Sequence, residues 1–127
     1  MSQWTHVAAV IRIDDLCIDD RPPEFPDVGN MAAYGDSAET WARCDIPRGS
    51  EGSLQHTVWR NPKENHVSAY TVTVWGDLRD YDNEEEIVAY LERITSGRTV
   101  RAGIAEIDTE GRAATVVQHT DDGWVKL

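Results

Sequence analysis

Trp4-Thr5-His6-Val7-Ala8-Ala9-Val10-Ile11-Arg12-Ile13-Asp14 is the stretch on which the fold turns. Successive side chains of an extended chain point to opposite faces. Val7, Ala9, Ile11 and Ile13 therefore share one side, and His6, Ala8, Val10 and Arg12 share the other. The period is two, so the stretch reads as a first strand with one fully buried face.

On its C-terminal side the pattern breaks. Asp14 to Asn30 holds Asp14, Asp15, Asp19, Asp20, Pro22, Pro23 and Pro26. Proline fixes φ and removes a donor, so this part reads as an irregular acidic excursion. Met31 to Cys44 reads as containing a short helix, capped by Asp36 or Ser37, with Ala38, Trp41 and Ala42 as a partial apolar stripe. Pro47 to Ser53 is a loop. Leu54–Arg60 and Val67–Trp75 are strands joined by the turn Asn61–Asn65, which makes a hairpin. In the second of these, Tyr70, Val72 and Val74 share a face, and Ala69, Thr71, Thr73 and Trp75 share the other. Neither face is strongly polar, which suits a central strand.

Asn83 to Ser96 is the clearest helix. Asn83 takes the cap role, Glu84, Glu85 and Glu86 occupy the first turn where the dipole favours them, and Ile87, Leu91 and Ile94 form the stripe widened by Val88 and Tyr90. Gly97 stops it. Arg98–Asp108 and Ala113–His119 are the last strands, and the tail packs on the body through Trp124. The order strand, helix, strand, strand, helix, strand, strand is βαββαβ plus one element. The expectation is a ferredoxin-like α+β fold over 1–127 as a single domain: a split βαβ antiparallel sheet with two helices on one face and an additional C-terminal edge strand.

The chain carries a formal net charge of -11 over 127 residues, yet is 40% hydrophobic with five Trp. Acidic chains poor in apolar residues are disordered; this one has the apolar content of a folded domain that wears its charge as a coat. Twenty-three acids face twelve bases with no Lys or Arg cluster. Direct nucleic-acid binding and docking on anionic membranes are therefore not expected, and a basic protein is a favoured long-range partner. No apolar run has the length of a membrane span. Met1-Ser2-Gln3-Trp4 lacks the basic flank and apolar stretch of a secretory leader, so a cytoplasmic location is expected. There Cys17 and Cys44 are expected to be reduced, with a bridge between them left open.

No stretch carries a chemical motif of high specificity. Asp14, Asp15, Asp19 and Asp20 are weak cation candidates, without the glycine and terminal glutamate of an EF-hand loop. His6, His56, His66 and His119 with Cys17 and Cys44 have none of the close spacings of a zinc site. Arg48 to Ser53 fits no phosphate loop, and Ser50 and Ser53 sit in no nucleophile elbow. The expectation is no catalytic residue, metal or cofactor. Trp75 to Tyr81 reads as a connection between strand and helix, with Asp77, Arg79 and Asp80 as an ion-pair lattice and recognition candidates; Arg79 suits a carboxylate. Trp4, Trp59, Tyr70 and Trp75 are interface candidates, because Trp and Tyr concentrate at interface centres.

The runs Ser50-Glu51-Gly52-Ser53-Leu54, Thr57-Val58-Trp59 and Ala69 through Tyr81, continued by the helix Glu84–Ile94 and the strand Arg98–Glu106, resemble a group of small, acidic, uncharacterised proteins of bacteria and their prophages. The resemblance spans most of the chain. It implies a bacterial or phage context and no transferable activity. The leading functional expectation is a non-enzymatic domain that self-associates as a homodimer or engages another protein, with apolar burial on a sheet face and acidic rims. One alternative is an acidic mimic of nucleic acid that occupies a basic protein. Another is a small enzyme or ligand-binding domain with an acidic, aromatic-lined cleft, for which Asp77 and His119 form a candidate acid–base pair.

Overall fold

A computed structural model describes residues 2–16, 46–60 and 67–127. Strand β1 spans Trp4–Leu16, β2 Gln55–Arg60 and β3 Val67–Arg79; helix α1 spans Glu84–Thr95; β4 spans Val100–Thr109, β5 Thr115–Thr120 and β6 Gly123–Lys126. All six strands join one antiparallel sheet in the order β2-β3-β1-β4-β5-β6.

This architecture corrects the ferredoxin-like expectation. The described residues hold six strands and one helix, with strand at 57% of them, so the domain is mostly antiparallel sheet. Two pairings account for the difference. Residues 75–79, read as a connection, continue β3, and Trp4 pairs with Arg79 at its end. The tail, read as a packing appendage, is β6, paired with β5 from Val117↔Lys126 to Thr120↔Gly123. It displaces β5 from the edge. Met31–Cys44, where a helix is expected, and residues 17–30 of the acidic excursion lie outside the described residues. Asp14 and Asp15 belong to β1.

The alternation of β1 is realised as burial. Val7, Ala9, Ile11 and Ile13 are buried, and Tyr70, Val72, Val74 and Leu78 of β3 face the same way. Ala105 and Ile107 of β4 and Val117 of β5 extend this face. Helix α1 supplies Ile87, Tyr90, Leu91 and Ile94 to the same core. Asn83 Oδ1 accepts from the Glu86 amide at 3.2 Å, which caps the helix.

The helix is tied to the far edge of the sheet. The Trp124 amide donates to Glu92 Oε1 at 2.7 Å and its indole Nε1 to Thr95 Oγ1 at 3.2 Å. Thr115 Oγ1 donates to Glu84. Gly103 makes room for this: a Cβ there would lie 2.8 Å from the Trp124 ring, so only glycine lets the indole settle against β4. At the other edge, Gly52 has φ +82° and its missing Cβ would strike the Asp77 carbonyl. The 48–53 loop thus packs its backbone on the end of β3, with Ser50 N donating to Arg79 O and Arg79 N to Glu51 O.

Candidate functional site

Among the described residues, no element packs on the face of the sheet opposite α1, the open face. Its residues are the alternate set, and the strand register arranges them in rows across the sheet. The middle row runs Thr57, Thr73, Val10, Ile104, Gln118, Val125 from β2 to β6. One row toward the start of β1 lie Gln55, Trp75, Ala8, Glu106 and Val116; one row the other way lie Trp59, Thr71, Arg12 and Ala102. Val10 and Ile104 stand on interior strands, yet are 50% and 51% exposed, while Ile11 beside them is 0%. Trp59, Trp75 and Val125 are exposed at 57%, 42% and 42%. Each half-exposed side chain leaves about 1 kcal/mol of burial unrealised.

Charge lies at the two ends of this face. At the end where β1 begins, His6 Nδ1 is 2.6 Å from Asp77 Oδ1 and its Nε2 is 3.3 Å from Glu110 Oε2. The hydrogen bond with Asp77 raises the His6 pKa above 6.5, outweighing lost hydration, and Glu110 adds to the rise. Arg79 Nη1 meets Glu51 at 2.9 Å, Arg79 Nε donates to Ser2 Oγ at 2.9 Å, and Asp80 lies 3.9 Å away. Asp108 faces His6 across β1 and β4. Asp82, 3.9 Å from Arg112, and Glu84, which accepts from Thr115, stand at the same end on the helix side, where carboxylates outnumber basic groups.

The other end carries arginine. The register of β1 on β4 shifts between Arg12 and Ile13, which pair with Ala102 and Val100. Arg101 is thus the extra residue of a bulge, and it is aimed with Ala102 toward the open face. Arg101 Nη1 and Arg12 Nε clasp Asp14 at 2.9 and 3.0 Å. Burial works to raise the Asp14 carboxyl, and the hydrogen bonds from Arg101 and Arg12 overcome it, so Asp14 sits below the ordinary carboxylate value.

Comparison with known proteins finds no matching family model, no matching curated protein and no matching solved structure.

The candidates fall in distinct places. Trp59 and Trp75 stand on the open face, and Trp4 is half-buried at its acidic end with its amide on Glu110 Oε1. Tyr70 does not belong with them: it is wholly buried on the helix side. Asp77 engages His6 across the strands, while Arg79 bridges Glu51 and Asp80, so the lattice read into Asp77–Asp80 is built mainly with residues distant in sequence. Asp14 is held by two arginines. Asp19, Asp20, His66, Cys17 and Cys44 lie outside the described residues.

The three described histidines do not converge. His56 faces the helix side on β2, where burial lowers its pKa. His119 packs edge-on against Trp124 at 5.5 Å on β5. Those two strands stand four spacings apart, about 19 Å. The Asp77–His119 pairing fails for the same reason: the residues occupy opposite faces, three strands apart. The partner of Asp77 is His6, which sequence reasoning missed because register alone brings positions 6 and 77 together. Among the described residues no group of His, Cys, Asp and Glu has the arrangement of a metal site, and no helix is long and apolar enough to cross a membrane. An open cleft of about 790 Å³ lies between the end of α1 and the β5–β6 turn, lined by Glu92, Arg93, Thr95, Arg98, His119 and Asp121 among others.

Proposed function

We propose that this protein is a non-enzymatic interaction domain that self-associates through the open face of its sheet. The observation that carries the proposal is the exposure of Val10 and Ile104 on interior strands, in one row with Val125 and flanked by Trp59 and Trp75. A contiguous apolar patch ringed by polar groups is the signature of an association surface. Interior strands of a one-sided sheet ordinarily turn polar side chains to water; this one turns valine and isoleucine. The middle row is uncharged, so contact there buries no charged group. The bacterial or phage context of this role comes from the sequence resemblance alone.

Sedimentation equilibrium from micromolar to millimolar protein tests the proposal. Wild type is expected to dimerise, and Val10→Asp with Ile104→Asp to stay monomeric with unchanged far-UV circular dichroism. A wild-type chain that is monomeric throughout refutes it.

The acidic end of the sheet favours one second reading, in which Asp77, Asp80, Asp82, Asp108 and the Glu84–Glu86 turn meet a basic protein. Asp80→Asn with Asp82→Asn and Glu85→Gln separates the two: it weakens capture of a basic protein and leaves a self-association that depends on Val10 and Ile104.

A further inference from the structure

The distribution of charge on the open face selects one arrangement of two copies. Two identical faces that pack on each other in a closed dimer are related by a two-fold axis lying in the interface. Two orientations of that axis keep the strands of both sheets aligned, the common mode of sheet packing. If the axis runs along the strands, each end meets its own copy. His6, Asp77, Asp108 and Glu106 of one protomer then face the same acidic set, and Arg12 and Arg101 face arginine. If the axis runs across the strands, the ends exchange. The acidic end then lies over Arg12 and Arg101, which the Arg101 bulge aims toward this face. Juxtaposed like charges cost several kcal/mol, and opposite charges steer and fix register.

We infer that the partner on the open face is a second copy of this chain, seated with the two-fold axis across the strands along the row Thr57–Thr73–Val10–Ile104–Gln118–Val125. This inference rests on the self-association reading above. On the axis, Val10 and Ile104 pack against their own copies. One row off it, Ala8 and Glu106 of one protomer meet Arg12 and Ala102 of the other, and Trp75 covers Thr71. One row further, Asp108 meets Arg101 and His6 meets Asp14. Arg12 and Arg101 keep Asp14 between them, and their positive charges lie beneath the Glu106 and Asp108 carboxylates.

Arg12 and Glu106 lie four residues apart along adjacent strands, about 13 Å, so they do not pair within one chain. Only the crossed dimer joins them, and it does so twice. The test mixes two charge reversals. Arg12→Glu alone and Glu106→Arg alone each weaken dimerisation about thirty-fold, because each places like charges in both contacts. An equimolar mixture of the two variants forms a heterodimer within about three-fold of wild-type affinity, since every contact again joins Arg to Glu. Circular dichroism of each variant checks that it folds. A second readout does not depend on charge: with Cys17 and Cys44 replaced by serine, Ala8→Cys chains mixed with Arg12→Cys chains form the mixed disulfide in preference to the Ala8–Ala8 one. Wild-type dimers whose reversals fail to rescue each other, or Ala8 variants that cross-link chiefly to themselves, overturn the crossed arrangement and leave self-association standing. A monomeric wild-type chain overturns both.

Discussion

His6 and Asp77, seventy-one positions apart in sequence, are hydrogen-bonded at 2.6 Å across β1 and β3. Glu110 approaches the other ring nitrogen at 3.3 Å from the end of β4. One imidazole therefore links three strands at the acidic end of the open face. Both ring nitrogens act as donors only in the imidazolium form, so the two carboxylates favour the charged ring.

The sign of its pH dependence follows. The folded chain holds the His6 pKa above 6.5 through Asp77 first and Glu110 second. The contribution to stability is complete below the unfolded value and is lost as pH rises through the folded one. Asp77→Asn is expected to lower the His6 pKa and to flatten the change in urea midpoint across the neutral range. The His6 ring proton, followed by NMR against pH, reads the first effect directly. A titration that Asp77→Asn leaves in place would show that Asp77 does not hold the ring.

Neighbouring positions of β1 give a sharper contrast. Ile11 is fully buried and Val10 half exposed. Ile11→Ala should cost about 3 kcal/mol in monomer stability, through lost burial and the cavity left behind. Val10→Ala should cost less than about 1 kcal/mol, yet weaken dimerisation. Chemical denaturation at a concentration below the dimer range measures both. Similar costs at the two sites would mean that Val10 is covered within the monomer.

Gly103 tests how β6 is held. A methyl group at position 103 would intrude on the Trp124 ring at 2.8 Å, and that ring is held by its bond to Thr95. Gly103→Ala is expected to cost about 2 kcal/mol and to red-shift Trp124 fluorescence as the indole lifts. Gly111→Ala is the control for backbone strain without a clash: φ is +88° and nothing lies within 4 Å of its Cβ position, so about 1 kcal/mol is expected with no change at Trp124.

These contrasts mark what the sequence could carry. The alternation of Val7, Ala9, Ile11 and Ile13 is enough to read β1, because a period of two is a local property. The cap and stripe of Asn83–Ile94 are local too, and α1 follows from them. By local pattern alone, Gly76-Asp77 follows the end of a strand. It does not, because Gly76 is needed inside β3, where a Cβ would press on Ser53 and Leu54. That pressure comes from residues more than twenty positions away and leaves no local sign. Asp121-Asp122-Gly123 forms the hairpin connection from β5 to β6, with Gly123 at φ +99°; the four residues of β6 carry too little alternation for a strand to be read there. The candidate site was legible only in its parts. Trp59 and Trp75, interface candidates by residue type, stand on the open face, whereas Tyr70, a candidate on the same ground, is buried on the helix side. The pairing of His6 with Asp77, and of the two arginines with Asp14, depends on register, which is fixed by the whole sheet.

Buried hydroxyls join β1 to β4 and to the entry of α1. Thr5 and Thr109 are both fully buried and face each other in register, with their Oγ1 atoms 3.0 Å apart. Thr5 Oγ1 also donates to the Tyr81 carbonyl in the connection that leads into α1. A threonine hydroxyl has one proton, so the Thr5 proton goes to Tyr81 and the Thr109 proton to Thr5. Thr5→Val keeps the shape and strips both partners, leaving a buried carbonyl and a buried hydroxyl unsatisfied. It should cost about 2 kcal/mol. Thr109→Val removes only a donor to an oxygen that still donates elsewhere, and should cost about half as much. The double variant leaves only the Tyr81 carbonyl unsatisfied, so its cost should fall below the sum of the singles. Urea unfolding of the four proteins in a double-mutant cycle measures the difference. Strict additivity would break the chain of hydroxyls, and with it the idea that β4 positions the entry to α1 through Thr5.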